Sequence, residues 1–157
     1  MQLNSLASAL QAAQSLVDLA TKEAETQSEI RDEEEIQQLQ EAYGKGATGR
    51  GMASGASKAI KELEKEQKVR ANRLVRDSID AALLDLATFY RDVLLVQVGA
   101  QNLLINLDRQ KDIVSCANNS SGFSTIYILN EILSARRKIE TNVSPTLVCE
   151  NLMYKIV

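Results

Sequence analysis

The chain has 157 residues, of which 45% are hydrophobic and 25% charged, and its formal net charge is −3. This length and composition fit one globular domain and exclude disorder for the bulk of the chain. The sequence contains no His, which excludes imidazole zinc ligands and catalysis by Ser-His-Asp or Cys-His sets.

Residues 1–43 form the first predicted element, because apolar side chains recur there at spacings of three and four. The positions are Leu3, Leu6, Leu10, Ala13, Val17, Ala20 and Ala24. This spacing predicts an α-helix with a narrow apolar face, capped by Asn4 or Ser5. The segment carries nine acidic and two basic residues, a net charge of −7. We interpret its acidic run, 32–35, as a solvated face, since consecutive helical carboxylates point in different directions and cannot converge on a metal ion.

A Gly-rich segment, 44–56, follows and is interpreted as a flexible linker. A Walker A motif is excluded, because no Gly-Lys pair here is followed by Ser or Thr. Gly44, Gly46 and Gly49 match the dinucleotide pattern GxGxxG, but that motif requires a preceding strand and residues 30–43 have helical character.

The strongest helical pattern covers residues 57–98, which no Pro interrupts. Its second half is apolar on more than one face, as in a helix within a core, and its first half is mostly charged. Residues 44–76 carry nine basic and three acidic residues, a net charge of +6. The interpretations of this basic part that stay open are contact with nucleic-acid phosphates, a solvated helix, or docking as an antiparallel hairpin against the acidic first helix. The pairs Glu64–Lys68 and Glu66–Arg70 are expected to neutralise part of the basic face, which weighs against phosphate contact. The candidate phosphate contacts are Lys61, Lys68, Arg70, Arg73 and Arg76.

Three further helices are predicted towards the C-terminus. Gly99 ends the long helix, and the connection after it is expected to place Leu103, Leu104 and Ile105 in the core. Asp108 is predicted to cap a helix reaching Asn118, and polar residues at 118–122 precede a helix over 123–141. The apolar positions of that helix are Ile126, Leu129, Ile132, Leu133 and Ile139. Ser144 and Pro145 predict the start of the last helix.

These elements predict an all-α fold, a bundle of about five to six helices forming one domain over residues 1–157. Cys116 and Cys149 form no CxxC motif and are interpreted as reduced core residues. The N-terminus has no basic segment followed by an apolar one, and the longest apolar run, 93–98, is too short to cross a bilayer. We therefore expect a soluble, cytoplasmic chain.

The C-terminal half resembles the collar domain of bacterial DNA polymerase III clamp-loader subunits, most closely the delta-prime subunit of actinobacteria. The residues that carry this resemblance are YRD at 90–92, LIN at 104–106, ARR at 135–137 with Asn142 and Val143, and the last helix through Leu147, Glu150, Leu152 and Met153. It is firm over 70–157 and looser over 1–69. The fold it implies is a helical ring-forming domain, the last of three domains, so the chain is expected to be a piece of a longer protein.

The resemblance implies a non-catalytic oligomerisation module whose partners are the gamma/tau and delta subunits, with DNA reached only through the complex. It implies no cofactor, metal, membrane or small-molecule substrate for this domain, since the family's ATPase module lies upstream. Candidate interface residues are Arg91, Arg136, Arg137, Asn142, Glu150 and Met153.

Other interpretations stay open. Arg136 and Arg137 also suit the negative end of a helix dipole, and Asn142 suits a helix-to-helix turn. Tyr90 is expected in the core, with Arg91 and Asp92 in surface or interdomain ion pairs. For the whole chain the alternatives are a nucleic-acid-binding module acting through 58–76, the equivalent collar of a gamma/tau subunit, and a helical scaffold unrelated to replication.

Overall fold

The computed structural model describes residues 6–43, 50–141 and 143–156, with the backbone alone over 50–54. The described residues form five α-helices and contain no strand, so the all-α prediction is confirmed. The helices are α1 (Leu6–Ala42), α2 (Arg50–Gln97), α3 (Gln110–Asn119), α4 (Gly122–Ile139) and α5 (Pro145–Ile156). Short 3-10 turns occupy Gln101–Leu103 and Leu107–Arg109. None of the described helices has both the length and the apolar character needed to cross a membrane.

The chain divides into two compact units, one made of Met1–Asp18 and Ile79–Val157 and the other of Leu19–Ser78. The core of the first unit is built from side chains of all five helices. One buried cluster joins Val93 of α2, Leu104 of the following connection, and Ile113 and Ala117 of α3. Helices α4 and α5 pack against each other, and Ile132, Ala135, Val148 and Leu152 are buried there.

The second unit is an antiparallel helical hairpin of α1 and α2. The Arg70 guanidinium bonds the carboxylates of Asp32, at 2.6 Å, and Glu35, at 2.5 Å. Gly55 lies against the ring of Tyr43. Residues later in α1 therefore contact residues earlier in α2, which defines an antiparallel pair of helices. The charge segregation of the sequence indicates the same pairing.

The predicted linker is shorter than expected, because α2 already begins at Arg50. Residues 50–56 contain no Pro, and each Gly inside a helix costs only about 1 kcal/mol relative to Ala, so helix propagation from 57 extends backwards. The three glycines of the GxGxxG match lie outside the described residues, as do Asn4 and Ser5.

Gly99 ends α2 as predicted, through its left-handed backbone with φ of 78°. The amide of Gly99 donates to the carbonyl of Val96 at 3.1 Å, and the amide of Ala100 donates to that of Leu95 at 2.8 Å. This pair of bonds is the Schellman arrangement, in which Gly adopts a positive φ at little cost. Pro145 opens α5, also as predicted.

Two predictions about the connection after Gly99 are wrong. Asp108 does not cap α3, since it lies within the 3-10 turn and Arg109 takes the cap position without a side-chain bond. Of the three apolar residues expected in the core, only Leu104 is buried, while Leu103 and Ile105 are exposed. The backbone of this connection is irregular, so the side chains of neighbouring residues point in different directions. Only that of Leu104 points into the core.

Candidate assembly interface

The outer face of α4 carries the aromatic side chain with the highest exposed fraction among the described residues. Phe123 is 90% exposed, and Ile126, Tyr127 and Leu133 are 46%, 49% and 44% exposed. Successive helical residues are 100° apart, so these four positions lie on one side of α4. The opposite side holds the buried residues of the helix, Thr125, Ile132, Ala135 and Ile139. We call the exposed set of Phe123, Ile126, Tyr127 and Leu133 the α4 outer face.

The start of α4 fixes the position of Phe123. The Ser121 hydroxyl accepts a hydrogen bond from the amide of Ser124 at 3.1 Å, and the Ser121 carbonyl accepts one from the amide of Thr125 at 3.0 Å. This is an N-cap, which satisfies amides that a helix start otherwise leaves unpaired. Phe123 therefore projects to solvent from a capped first turn.

Of the two arginines expected at an interface on α4, one lies on this face. Arg137 is exposed and lies one turn after Leu133 on the same side. Arg136 instead points inwards in a two-pronged pair with Asp80 of α2, with Nε to Oδ1 and Nη2 to Oδ2 both 2.8 Å. Asp80 raises the pKa of Arg136. Both arginines lie in the last turn of α4, as the helix-dipole interpretation expects, but Arg136 is a structural link between helices and not a free interface group.

Arg91 and Asp92 form an ion pair with each other, but the surface placement expected for Asp92 is wrong, because its side chain is fully buried. One carboxylate oxygen accepts hydrogen bonds from the amides of Ile105 and Asn106 and from the Asn106 side chain, at 2.8–2.9 Å. The other is 2.8 Å from Nη1 of Arg91. Burial alone would raise the pKa of Asp92, but the bonds from Asn106 and Ile105 and the charge of Arg91 outweigh it, so the pKa lies below its usual value.

Arg91, a predicted interface residue, is therefore engaged in an ion pair with the buried Asp92. Its side chain stays 43% exposed, and Nη2 lies 3.5 Å from the Leu103 carbonyl. Arg91 links α2 to the connection that Asp92 anchors, and only its remaining exposed edge is open to a partner.

Met153 lines a cleft of about 560 Å³ within the first unit, between α1, α2, α3 and α5. Tyr90 and Cys116 also line this cleft. Tyr90 is half-buried there, so the prediction that it lies within the core is wrong. Burial raises the pKa of Tyr90. Glu150 is half-buried on α5, and Asn142 lies outside the described residues.

The candidate phosphate contacts divide into free and engaged side chains. Lys61, Lys68 and Arg73 are exposed, and Arg76 is half-buried. Arg70 is engaged with Asp32 and Glu35, so the predicted pair of Arg70 with Glu66 on its own helix is wrong. The hydrogen bond from Arg70 lowers the pKa of Glu35. Helix α1 offers Arg70 two carboxylates at once, those of Asp32 and Glu35, whereas Glu66 offers one. Arg70 therefore pairs across the hairpin and not along its own helix.

Sequence reasoning missed the α4 outer face. It assigned Ile126 and Leu133 to the apolar set of α4, and both are exposed. A signal was present, since Phe123, Tyr127 and Leu133 fall on a different side of a helical wheel from Ile132 and Ile139. A helix with apolar residues on two sides is the pattern that indicates a second packing surface.

Comparison of the chain with protein-family models, with curated proteins and with solved structures finds no match. Among the described residues, no three His, Cys, Asp or Glu side chains are grouped so as to hold a metal ion.

Proposed function

We propose that this chain is a non-catalytic assembly module, the collar-type domain of a bacterial clamp-loader subunit of the delta-prime kind. Its task in this proposal is to hold related subunits side by side in a ring that loads a sliding clamp onto primed DNA. The α4 outer face is the observation that carries the proposal. The resemblance of residues 70–157 supplies the identity of the partners, the gamma/tau and delta subunits.

The chemistry of the α4 outer face suits a protein partner. Aromatic residues and Arg are enriched at the centres of protein interfaces, and this face combines Phe123 and Tyr127 with Arg137. Exposed apolar side chains that adjoin one another mark an interaction surface more often than isolated ones do. The four side chains lie within eleven residues of a capped helix, so they are held in a fixed order and lose little freedom on binding.

The experiment is gel filtration of the chain mixed at micromolar concentration with the collar domains of the gamma/tau and delta subunits from the same genome. Co-elution is expected for the chain as it stands. Phe123→Asp is expected to weaken the complex about 30-fold, the loss of a binding hot spot of about 2 kcal/mol. Asp is tolerated in a first helical turn, so α4 is expected to stay folded.

The matched control is Leu19→Asp, which places the same charge at another exposed apolar residue, on α1. It is expected to leave co-elution unchanged. Failure of the unaltered chain to co-elute, or equal loss in both variants, contradicts the proposal.

A further inference from the structure

The outward side of the α2 hairpin arm carries a row of cations that the assembly proposal does not use. Lys58, Lys61, Lys65 and Lys68 follow one another at spacings of three, four and three, and Arg76 lies 18 residues, or five helical turns, after Lys58. The four lysines are exposed and Arg76 is half-buried. We call these five residues the lysine stripe. At 1.5 Å per residue it is about 27 Å long.

The lysine stripe points away from the acidic helix that packs against it. The side of α2 that faces α1 carries Gln67 and Arg70, and Gln67 is buried. Its Nε2 donates to the Asp32 carbonyl at 3.0 Å and to the Glu35 carboxylate at 3.2 Å. Asp32 and Glu35 are thereby engaged on the inner side, and the stripe lies on the opposite side of the helix.

The acidic residues of α2 neutralise little of the positive charge of the lysine stripe. Glu62, Glu64 and Glu66 fall on the flanks of the helix, outside the row. An ion pair on this side joins Lys65 to Glu62 at 3.6 Å, with the two side chains 73% and 65% exposed. Pairs this exposed contribute little and exchange readily with another anion.

The residue types of the stripe indicate which anion it fits. Lys is depleted at the centres of protein interfaces. Among the side chains that the structure describes, Val69 is the one large apolar residue exposed beside the stripe. A membrane-surface helix needs an apolar face opposite its cations, and here that side of α2 packs on α1. The stripe contains no aromatic residue on which unpaired bases could stack. What remains is a straight row of point charges, which fits the phosphates of a duplex.

We propose that the lysine stripe binds the phosphate backbone of duplex DNA without reading its sequence. Contacts from the five side chains release counterions as they neutralise phosphates, so affinity depends steeply on salt. The position of the stripe in the Leu19–Ser78 unit, away from α4 in the sequence, makes this binding separate from the assembly proposed above.

The test is fluorescence anisotropy of a labelled 20-base-pair duplex with the full 157-residue chain at 50–200 mM KCl. Five phosphate contacts predict a slope of about −4.5 for log K against log salt, which is about a 500-fold loss of affinity over that range. The variant Lys61→Gln/Lys65→Gln/Lys68→Gln is expected to reduce the slope to about −1.8. Two duplexes of different sequence are expected to bind within about twofold of each other.

The matched control is Lys22→Gln/Lys111→Gln/Lys138→Gln, which removes three exposed lysines from elsewhere and changes the net charge equally. An unchanged slope in the control supports the proposal, as does unchanged duplex binding by Phe123→Asp. Equal losses in both triple variants, no duplex binding at 50 mM KCl, or tighter binding to polyglutamate or to phosphatidylserine vesicles would overturn it.

Discussion

At the scale of single residues, Asp92 shows how a charge is accommodated inside a helical core. A buried carboxylate is costly unless donors replace its water, and Asp92 has four: two backbone amides, the Asn106 side chain and Arg91. These bonds also fix the backbone of the connection after Gly99. The side chain that the sequence suggested was a surface ion is therefore an internal anchor.

We expect Asp92→Asn to lower the free energy of unfolding by about 3 kcal/mol, because a neutral amide accepts fewer bonds and leaves buried donors unpaired. Urea denaturation followed by circular dichroism measures this change. Asp85→Asn is the control, since Asp85 is exposed and its own contribution to bonding in the structure is through its backbone carbonyl. A loss below 1 kcal/mol for Asp92→Asn would show that the buried network contributes little.

The lowered pKa of Asp92 gives this stabilisation a pH dependence. The folded pKa is below that of the unfolded chain, so the stabilisation is complete above the ordinary carboxylate pKa of about 4 and declines as the pH falls towards the folded value. The difference in stability between the chain and Asp92→Asn is therefore expected to be constant from pH 6 to 8 and to shrink below pH 4. A difference that grows on acidification would contradict the assignment.

The two cysteines are expected to differ in reactivity. Burial, with a smaller effect from Glu150, raises the pKa of the Cys149 thiol to about 11, whereas Cys116 is half-buried at the cleft. Since the thiolate is the reactive form, Ellman's reagent at pH 8 should modify Cys116 first and Cys149 only when the chain is unfolded. Cys116→Ser is the control, and rapid reaction of that variant in the folded state would contradict the buried position of Cys149.

At the scale of helices, the pair of Asp80 and Arg136 links α2 to α4. The two side chains are 31% and 25% exposed and meet with two parallel hydrogen bonds, the geometry in which an ion pair contributes most. A double-mutant cycle with Asp80→Ala and Arg136→Ala is expected to give a coupling energy of about 1 kcal/mol. Zero coupling would mean that Arg136 is available to a partner after all, as the sequence first suggested.

The helix ends were predictable where local chemistry decides them. Gly99, Pro145 and the polar residues before α4 each act within a few residues of their own position, so the sequence alone indicates them. The α1 partners of Arg70, and the partners of Asp92 in the connection after Gly99, are 13 to 38 residues away along the chain. Such pairs depend on how helices pack, and a helical pattern contains no information about which of several carboxylates a guanidinium reaches.

At the scale of the molecule, the same limit applies to its surfaces. Periodicity shows that α4 is apolar, but it does not distinguish a residue buried within the chain, such as Ile132, from one left exposed, such as Ile126. Charge segregation was readable in advance, because residues 1–43 and 44–76 carry −7 and +6. The structure adds that the cations of the lysine stripe lie on the solvent-exposed side of α2, opposite the side that packs on α1.

The central claim is that the α4 outer face binds neighbouring subunits. Amide hydrogen exchange, measured for the chain alone and mixed with the gamma/tau and delta collar domains, tests it most directly. We expect added protection of amides in Gly122–Ile139, with little change in the hairpin residues of Leu19–Ser78. Unchanged exchange in α4, or protection confined to the hairpin, would contradict the claim.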